Sequence, residues 1–368
     1  MASSYNHLTH RVPRPVIVYD KQGVRNPYDN ASMAIDGNGY IWVFVSGWLR
    51  TRPGLIFKSR LPWSTENFEN MLMKEMSFPQ PWWVKDSGFV MVFSRTLKGL
   101  DLFCSTSRDG VQWRRDKIIT AMGGKRHLSG YSGNRLYLVF NYHPGGDIDK
   151  RTNLYLLYTD DLGRTWKNID DSIIATPLRT VKNPALVHDF EKEKKIVHIY
   201  DLNFDRKGNP VILLCTSREF MPGPSGNPRE WLVVTRSGDQ WNFSKVCETD
   251  NNFDAATIHI MDDRWMIAGT STPGREKYTS GGEMTLWASN DEGKTWTKAR
   301  DITSGSRYNM SYPRRPLNAN GSFFVWWADG DPKKLSESRI YFTNNRFDKV
   351  WVLPYEMKKD SEKPVRLH

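Results

Sequence analysis

The sequence predicts an all-β fold, a single β-propeller domain of four-stranded antiparallel blades, on three observations. One turn motif recurs along the chain at near-constant spacing. Short alternating or apolar runs flank each copy. No amphipathic 3.6-residue run extends beyond about two turns.

The motif reads Ser/Thr-x-Asp-x-Gly-x-Thr-Trp, an Asp-box. It is complete at Thr159, Asp161, Gly163, Thr165 and Trp166, and again at Ser289, Asp291, Gly293, Thr295 and Trp296. A shorter copy runs Ser107, Asp109, Gly110, Trp113, and a decayed one Thr235, Ser237, Gly238, Trp241. In such a turn Asp accepts from the backbone N–H groups that follow it, and Gly supplies a positive φ. The Trp folds back as an apolar plug between neighbouring units. These features mark a structural turn and carry no chemistry themselves.

Each copy follows a strand-like run: Leu100–Ser105, Leu154–Tyr158, Trp231–Thr235 and Met284–Ala288. Further strands are expected at Tyr40–Ser46, Phe89–Ser94, Arg135–Asn141, Trp265–Gly269 and Ser322–Ala328. Trp113 to Trp166 spans 53 residues, Trp166 to Trp241 spans 75, and Trp241 to Trp296 spans 55. Steps of the same size reach Trp63 and Trp351. Six tryptophan positions argue for six blades, whereas the length of 368 residues divided by that period gives about seven. The run Pro15–Tyr19 is expected to pair with the last blade, because closure removes exposed sheet edges. The whole chain, 1–368, then forms one domain, with 1–13 a flexible segment and 355–368 a tail.

Composition narrows the partners. Lys plus Arg number 52 and Asp plus Glu 41, a net charge of +11. That surplus favours acidic partners. No block of five or six consecutive basic residues marks a nucleic-acid tail. No apolar run approaches the roughly 20 residues of a membrane-spanning helix. Cys104 and Cys215 sit in apolar runs and read as core residues; with Cys247 they make neither a disulfide framework nor a zinc pattern. Met1–Ser4 has no apolar signal core. The expectation is a periplasmic or secreted protein whose export signal is not in this chain, with a cytoplasmic start as the alternative.

Propeller chemistry lies where inner strands start and where loops border the channel. The residues expected there combine aromatic faces, arginines, a few carboxylates and histidines. His127 stands at a strand start, and His143 in the glycine-rich loop Asn141–Asp147; they are the candidate catalytic groups, since imidazole titrates near neutrality. Arg314, Arg315, Arg275 and Arg151 are candidate carboxylate forks. Trp82 is a candidate stacking plate, and Asp29, Asp254 and Tyr312 complete the substrate-binding set. His188, His198 and His259 lie within strands and read as structural. No metal site is expected and no cofactor is required; converging Asp and carbonyl groups are compatible with a structural calcium ion. The partner is an acidic oligosaccharide or polysaccharide, with no nucleic acid, bound by a monomer.

The boxes resemble the bacterial neuraminidase repeat. The runs Arg25–Met33 (RNPYDNASM), Gly39–Gly47 (GYIWVFVSG), Arg151–Tyr155 (RTNLY) and Trp327–Asp331 (WADGD) resemble a narrower group, the propeller rhamnosidases of glycoside hydrolase family 145 and related rhamnose–glucuronate lyases. The likeness runs from about Pro15 to Pro354. It implies seven blades and cleavage of L-rhamnose α-1,4-linked to D-glucuronate, by hydrolysis or β-elimination, in a plant glycan such as arabinogalactan. It also implies hydrolysis through one histidine with help from the substrate carboxylate. The sequence departs from the group at three places. Asp29-Asn30 stands where relatives carry His-Asn, Leu49 where a second histidine lies, and Asn251–Asp254 (NNFD) where many carry His-Asn-Tyr-Asp. These departures keep a non-catalytic glycan-binding propeller open as an alternative. An exo-sialidase is weaker: His10–Pro13 resembles its Arg-Ile-Pro motif, but no Tyr–Glu partner pair is evident.

Overall fold

The structure, a computed structural model, describes residues 1–22, 30–48, 51–96, 99–123, 126–319 and 321–367. Asp29 and Leu49 lie outside the described residues. The chain forms two compact units, one of Met1–Ser4 with Pro15–Leu186, the other of Tyr5–Arg14 with Val187–His368.

The first unit holds three antiparallel sheets in chain order. The first comprises Ser32–Ile35, Ile41–Val45, Gly54–Ser59 and Phe68–Lys74. The second comprises Ser77–Val84, Gly88–Thr96, Leu100–Ser107 and Lys117–Ile118. The third runs His127–Ser132, Arg135–Tyr142, Thr152–Thr159, Trp166–Lys167 and Ile173–Ile174. Their middle strands are buried on both faces and read as continuous apolar runs, such as Phe89–Phe93 and Leu136–Phe140. Apolar seams join neighbouring sheets. Phe44 and Ile56 of the first pack with Phe89, Met91 and Phe103 of the second. Val92, Leu102 and Cys104 of the second pack with Leu136, Leu138 and Trp166 of the third. Each fully buried side chain of this size contributes about 1.5–3 kcal/mol.

The second unit opens with the sheet Ile196–Phe204, Pro210–Ser217, Arg229–Ser237 and Gln240–Thr249. Ala256–Ile260, Trp265–Pro273, Gly282–Ser289 and Thr297–Asp301 follow. Asn309–Arg314, Val325–Gly330, Ile340–Thr343 and Val350–Val352 come last. The last two groups are continuous, because Gly282 pairs with Met310. Pro15–Tyr19 forms no strand; Val16 bridges to Ala2. Val12–Pro13 pairs with Ser361–Glu362 in a separate two-stranded sheet.

The Asp-boxes form the turns the sequence requires. Asp161 accepts from the backbone N–H groups of Arg164 and Thr165, both at 2.9 Å, and from the Thr165 hydroxyl at 2.7 Å. Asp291 does the same with Lys294 and Thr295, and the Thr295 bonds hold its carboxyl down at about 2. Two of the boxes also brace the sheet before them. A Cβ on Gly110 would stand 2.5 Å from Cη2 of Trp42, and one on Gly163 would stand 2.6 Å from Sγ of Cys104. Both glycines have φ of +76°. Trp113 packs edge-on to Phe44 at 6.1 Å, the inter-sheet plug expected of it. The three cysteines are free and buried, and burial pushes the Cys104 and Cys215 thiols up to about 12.

Candidate functional site

Four strands that start or end near the candidate residues carry β-bulges, which add a residue and re-aim side chains. In the first unit the register shifts between Ser77 and Gln80 and between Phe140 and Tyr142. In the second it shifts between Ile199 and Asp201 and between Ser311 and Arg314. The bulges centre on Phe78, Asn141, Tyr200 and Tyr312. Phe78 and Tyr312 have φ of 52° and 51°, a backbone state costly for side chains of this size.

In the first unit His127 and His143 stand on the two segments at one end of a hairpin. His127 is the first residue of its strand and pairs with Phe140; His143 follows the partner strand. Asn141 ties the two segments. Its Oδ1 accepts the Arg126 backbone N–H at 3.0 Å and lies 3.1 Å from Nε2 of His143, while its own N–H bonds the Arg126 carbonyl. Gln80 fixes the other side. Its amide donates to the His127 carbonyl at 2.9 Å, and its Oε1 accepts from the N–H and hydroxyl of Ser129. The Trp82 indole donates to the same Ser129 hydroxyl at 2.9 Å and packs edge-on to Tyr131.

His127 is 7% exposed and His143 1%. Burial, reinforced by the Arg126 charge, drives the His127 imidazole down to about 3 despite opposing backbone groups of Val92 and Phe78. It is neutral throughout the physiological range. The Arg126 guanidinium sits over the Phe78 ring at 4.7 Å. Arg151 is buried, and its Nε donates to the Ile148 carbonyl at 2.7 Å, so it also closes the loop that follows His143.

The second unit holds the other candidates. Arg315 reaches the Leu202 carbonyl at 3.2 Å and Asp201 at 3.5 Å. Asp201 is already held by the backbone N–H groups of Leu202 and Ile258, both at 2.9 Å. Arg314 is exposed, 6.0 Å from the Tyr312 ring. Arg275 is exposed with no side-chain partner among the described residues. Asp254 serves its own loop: its oxygens accept from the Thr249 hydroxyl and the N–H groups of Asn251 and Gly281. Burial raises its pKa well above the carboxylate range. His198 and His259 are buried among aromatic rings, and His188 pairs with Glu193.

Gln80 and Asn141, both among the residues the sequence puts beside the channel, anchor the histidine segments. Arg126 gains an importance that the sequence did not signal, since there it looks like half of an ordinary solvated Lys-Arg pair. Among the described residues no group of three or more His, Cys, Asp or Glu side chains is placed to hold a metal ion, and no helix is long and apolar enough to cross a membrane.

Comparison with solved structures places this arrangement among known folds. A polysaccharide lyase of family 25, an ulvan lyase bound to -[GlcA(1-4)Rha3S]-, superposes with a TM-score of 0.77 at 15% identity, over 93% of this chain and 86% of that one. The ulvan lyase without the sugar gives the same values. An α-L-arabinanase of Penicillium chrysogenum complexed with arabinobiose gives a TM-score of 0.48 at 11% identity, over 81% of this chain and 87% of that one. No curated protein is significantly similar in sequence. The model of the BNR repeat-containing family matches residues 11–249, more than half of the chain and three of its four Asp-box copies. The all-β, propeller-type fold and the repeat agree, and the chain belongs to the BNR-repeat family.

Proposed function

We propose that this protein is a carbohydrate-active enzyme that cleaves the bond between L-rhamnose and D-glucuronate in an acidic glycan. The observation that carries the reading is two buried histidines, His127 and His143, on neighbouring segments that Asn141 ties together through the Arg126 backbone N–H and Nε2 of His143, with the Arg126 charge acting on His127. The likeness to an ulvan lyase bound to a glucuronate–rhamnose repeat supports the substrate class.

The His127 imidazole is neutral at the working pH and has a free lone pair for a proton, but titrating at about 3 rather than near neutrality it binds that proton weakly. In β-elimination one histidine takes the uronate C5 proton. The C5–H electron pair becomes the C4=C5 double bond as the C4–O bond breaks, and the other histidine gives a proton to the departing oxygen. Arg126 faces the uronate carboxylate and stabilises the charge that builds there. Arg151 is the proposed substrate contact beside these histidines; Arg314, Arg315, Arg275 and Tyr312 belong to the second unit and are proposed glycan contacts of that unit. Hydrolysis through one histidine is the other branch, distinguished by a saturated product. A seven-bladed, monomeric, exported protein fits this reading.

One observation favours a second reading, glycan binding without turnover: both histidines are almost fully covered, and relatives' histidines are replaced at Asp29, Leu49 and Asn251. The test is incubation with a rhamnosyl-glucuronate oligosaccharide, following rhamnose release and the ultraviolet absorbance of the unsaturated product. Turnover lost in both His127→Gln and His143→Gln supports the enzyme. Saturable binding with no product supports the binder, and full activity in both variants removes the histidines from the mechanism.

A further inference from the structure

The opposite end of the same sheets carries a feature the histidine cluster does not use. The hairpin that begins at His127 turns at Gly133-Asn134 after six residues, about 20 Å away at roughly 3.3 Å per residue. At that end three adjoining depressions of about 470, 620 and 490 Å³ share Ser87 in their walls. Each is within the size range of a saccharide-binding cleft. The largest of the three is walled by the edges of Trp82, Trp83 and Tyr131, and Trp113 lines the first.

The rim is cationic. Arg108, Arg114, Arg115 and Lys117 line the first depression, and Arg164 lines both it and the second. All five are exposed. The four arginines have no carboxylate within ion-pair distance among the described residues. The nearby carboxylates are committed elsewhere. Asp116, next in sequence to Arg115, turns to Lys74 and Arg95 at 2.5 and 2.8 Å. Asp160 pairs with Lys167 at 2.8 Å. Asp109 and Asp161 turn their oxygens into their own Asp-box turns and stay ionised, so the cationic excess lies in the first depression, where Arg108, Arg114, Arg115, Lys117 and Arg164 face Asp86 and Asp109. Like charges that converge on a concave surface repel one another, and an anionic ligand relieves that repulsion.

We propose that this groove is a second, non-catalytic site that holds an extended anionic polysaccharide. Guanidinium forks pair with sulfate or carboxylate groups in bidentate fashion, and separate ring-sized depressions edged by indoles suit successive pyranose units better than a continuous phosphate backbone. The proposal does not rest on turnover at His127 and His143.

The test is affinity electrophoresis of the full chain through gels containing dextran sulfate, polygalacturonate or neutral dextran, across a salt series. The wild type is expected to be retarded by an anionic polymer and not by dextran. Retardation by dextran sulfate alone identifies sulfate as the recognised group; retardation by polygalacturonate alone identifies the carboxylate. The triple variant Arg108→Ser, Arg114→Ser, Arg115→Ser is expected to lose at least about tenfold in affinity and to flatten the salt dependence. Arg164→Ser alone is expected to lose a smaller part. A control with equal charge loss elsewhere, Lys192→Ser, Lys207→Ser, Lys294→Ser, is expected to stay within about twofold of wild type. An equal loss in the control, no preference for anionic over neutral polymer, or duplex DNA displacing the anionic polysaccharide at lower concentration would overturn the proposal.

Discussion

His127 ties protonation to stability. The folded chain keeps its imidazole neutral down to about pH 3, whereas an unfolded chain protonates it near pH 6.5. Between those values the unfolded state binds the extra proton, so stability falls as pH is lowered through that window and is fully present above it. Replacing His127 by Gln is expected to shallow this acid dependence in urea unfolding at pH values between about 4 and 7. The slope will not vanish. His259, held well below its usual value by burial and then by the Arg315 charge, acts in the same direction. An unchanged slope in the variant would mean that His127 is not kept neutral. Asn141 gives a second residue-scale prediction. Asn141→Ala removes the acceptor shared by Arg126 and His143; turnover on the rhamnosyl-glucuronate substrate is expected to fall at least tenfold, while Asn141→Asp, which keeps the oxygen, retains more. If Ala and Asp behave alike, Asn141 does not position the pair.

The Asp-box works at the scale of the element. Asp161 satisfies the backbone donors of its turn, and loss of such an acceptor costs about 1–2 kcal/mol. Asp161→Ala is therefore expected to lower the thermal midpoint measurably. Gly163→Ala is expected to cost at least as much, because it adds a positive-φ penalty to a clash with the Cys104 sulfur of the preceding sheet. A melt within a degree of wild type for Gly163→Ala would contradict the bracing role. The Asp-box elements were legible in sequence because a turn is local: Asp, Gly and Trp act within eight residues. The candidate site was legible only in part. His127 and His143 could be singled out as a strand start and a loop residue. The bulges at Phe78, Asn141, Tyr200 and Tyr312 could not, since a bulge is set by the partner strand's register. Asp254 looked like a ligand contact in sequence; its oxygens are occupied by Thr249, Asn251 and Gly281, a pattern visible only once the loop is folded.

For the whole molecule, the repeat made the all-β class and the blade-like sheets readable, because period and alternation survive without knowledge of contacts. The termini were harder. Val12–Pro13 and Ser361–Glu362 pair across almost the full length of the chain, and neither two-residue segment has a strand pattern of its own. The surplus of +11 was visible as a number, but which arginines are left without a carboxylate partner depends on where the carboxylates fold. Asp116 is the clearest case: adjacent to Arg115 in sequence, it is paired with Lys74 and Arg95 in the fold.

A catalytic role for His127 and His143 is tested by single-turnover cleavage of a rhamnosyl-glucuronate oligosaccharide by wild type, His127→Gln and His143→Gln, with substrate binding measured in parallel. The wild type is expected to give product, each variant to lose at least a hundredfold in rate, and both to bind within a few-fold of wild type. Undiminished cleavage by the two variants would contradict that role.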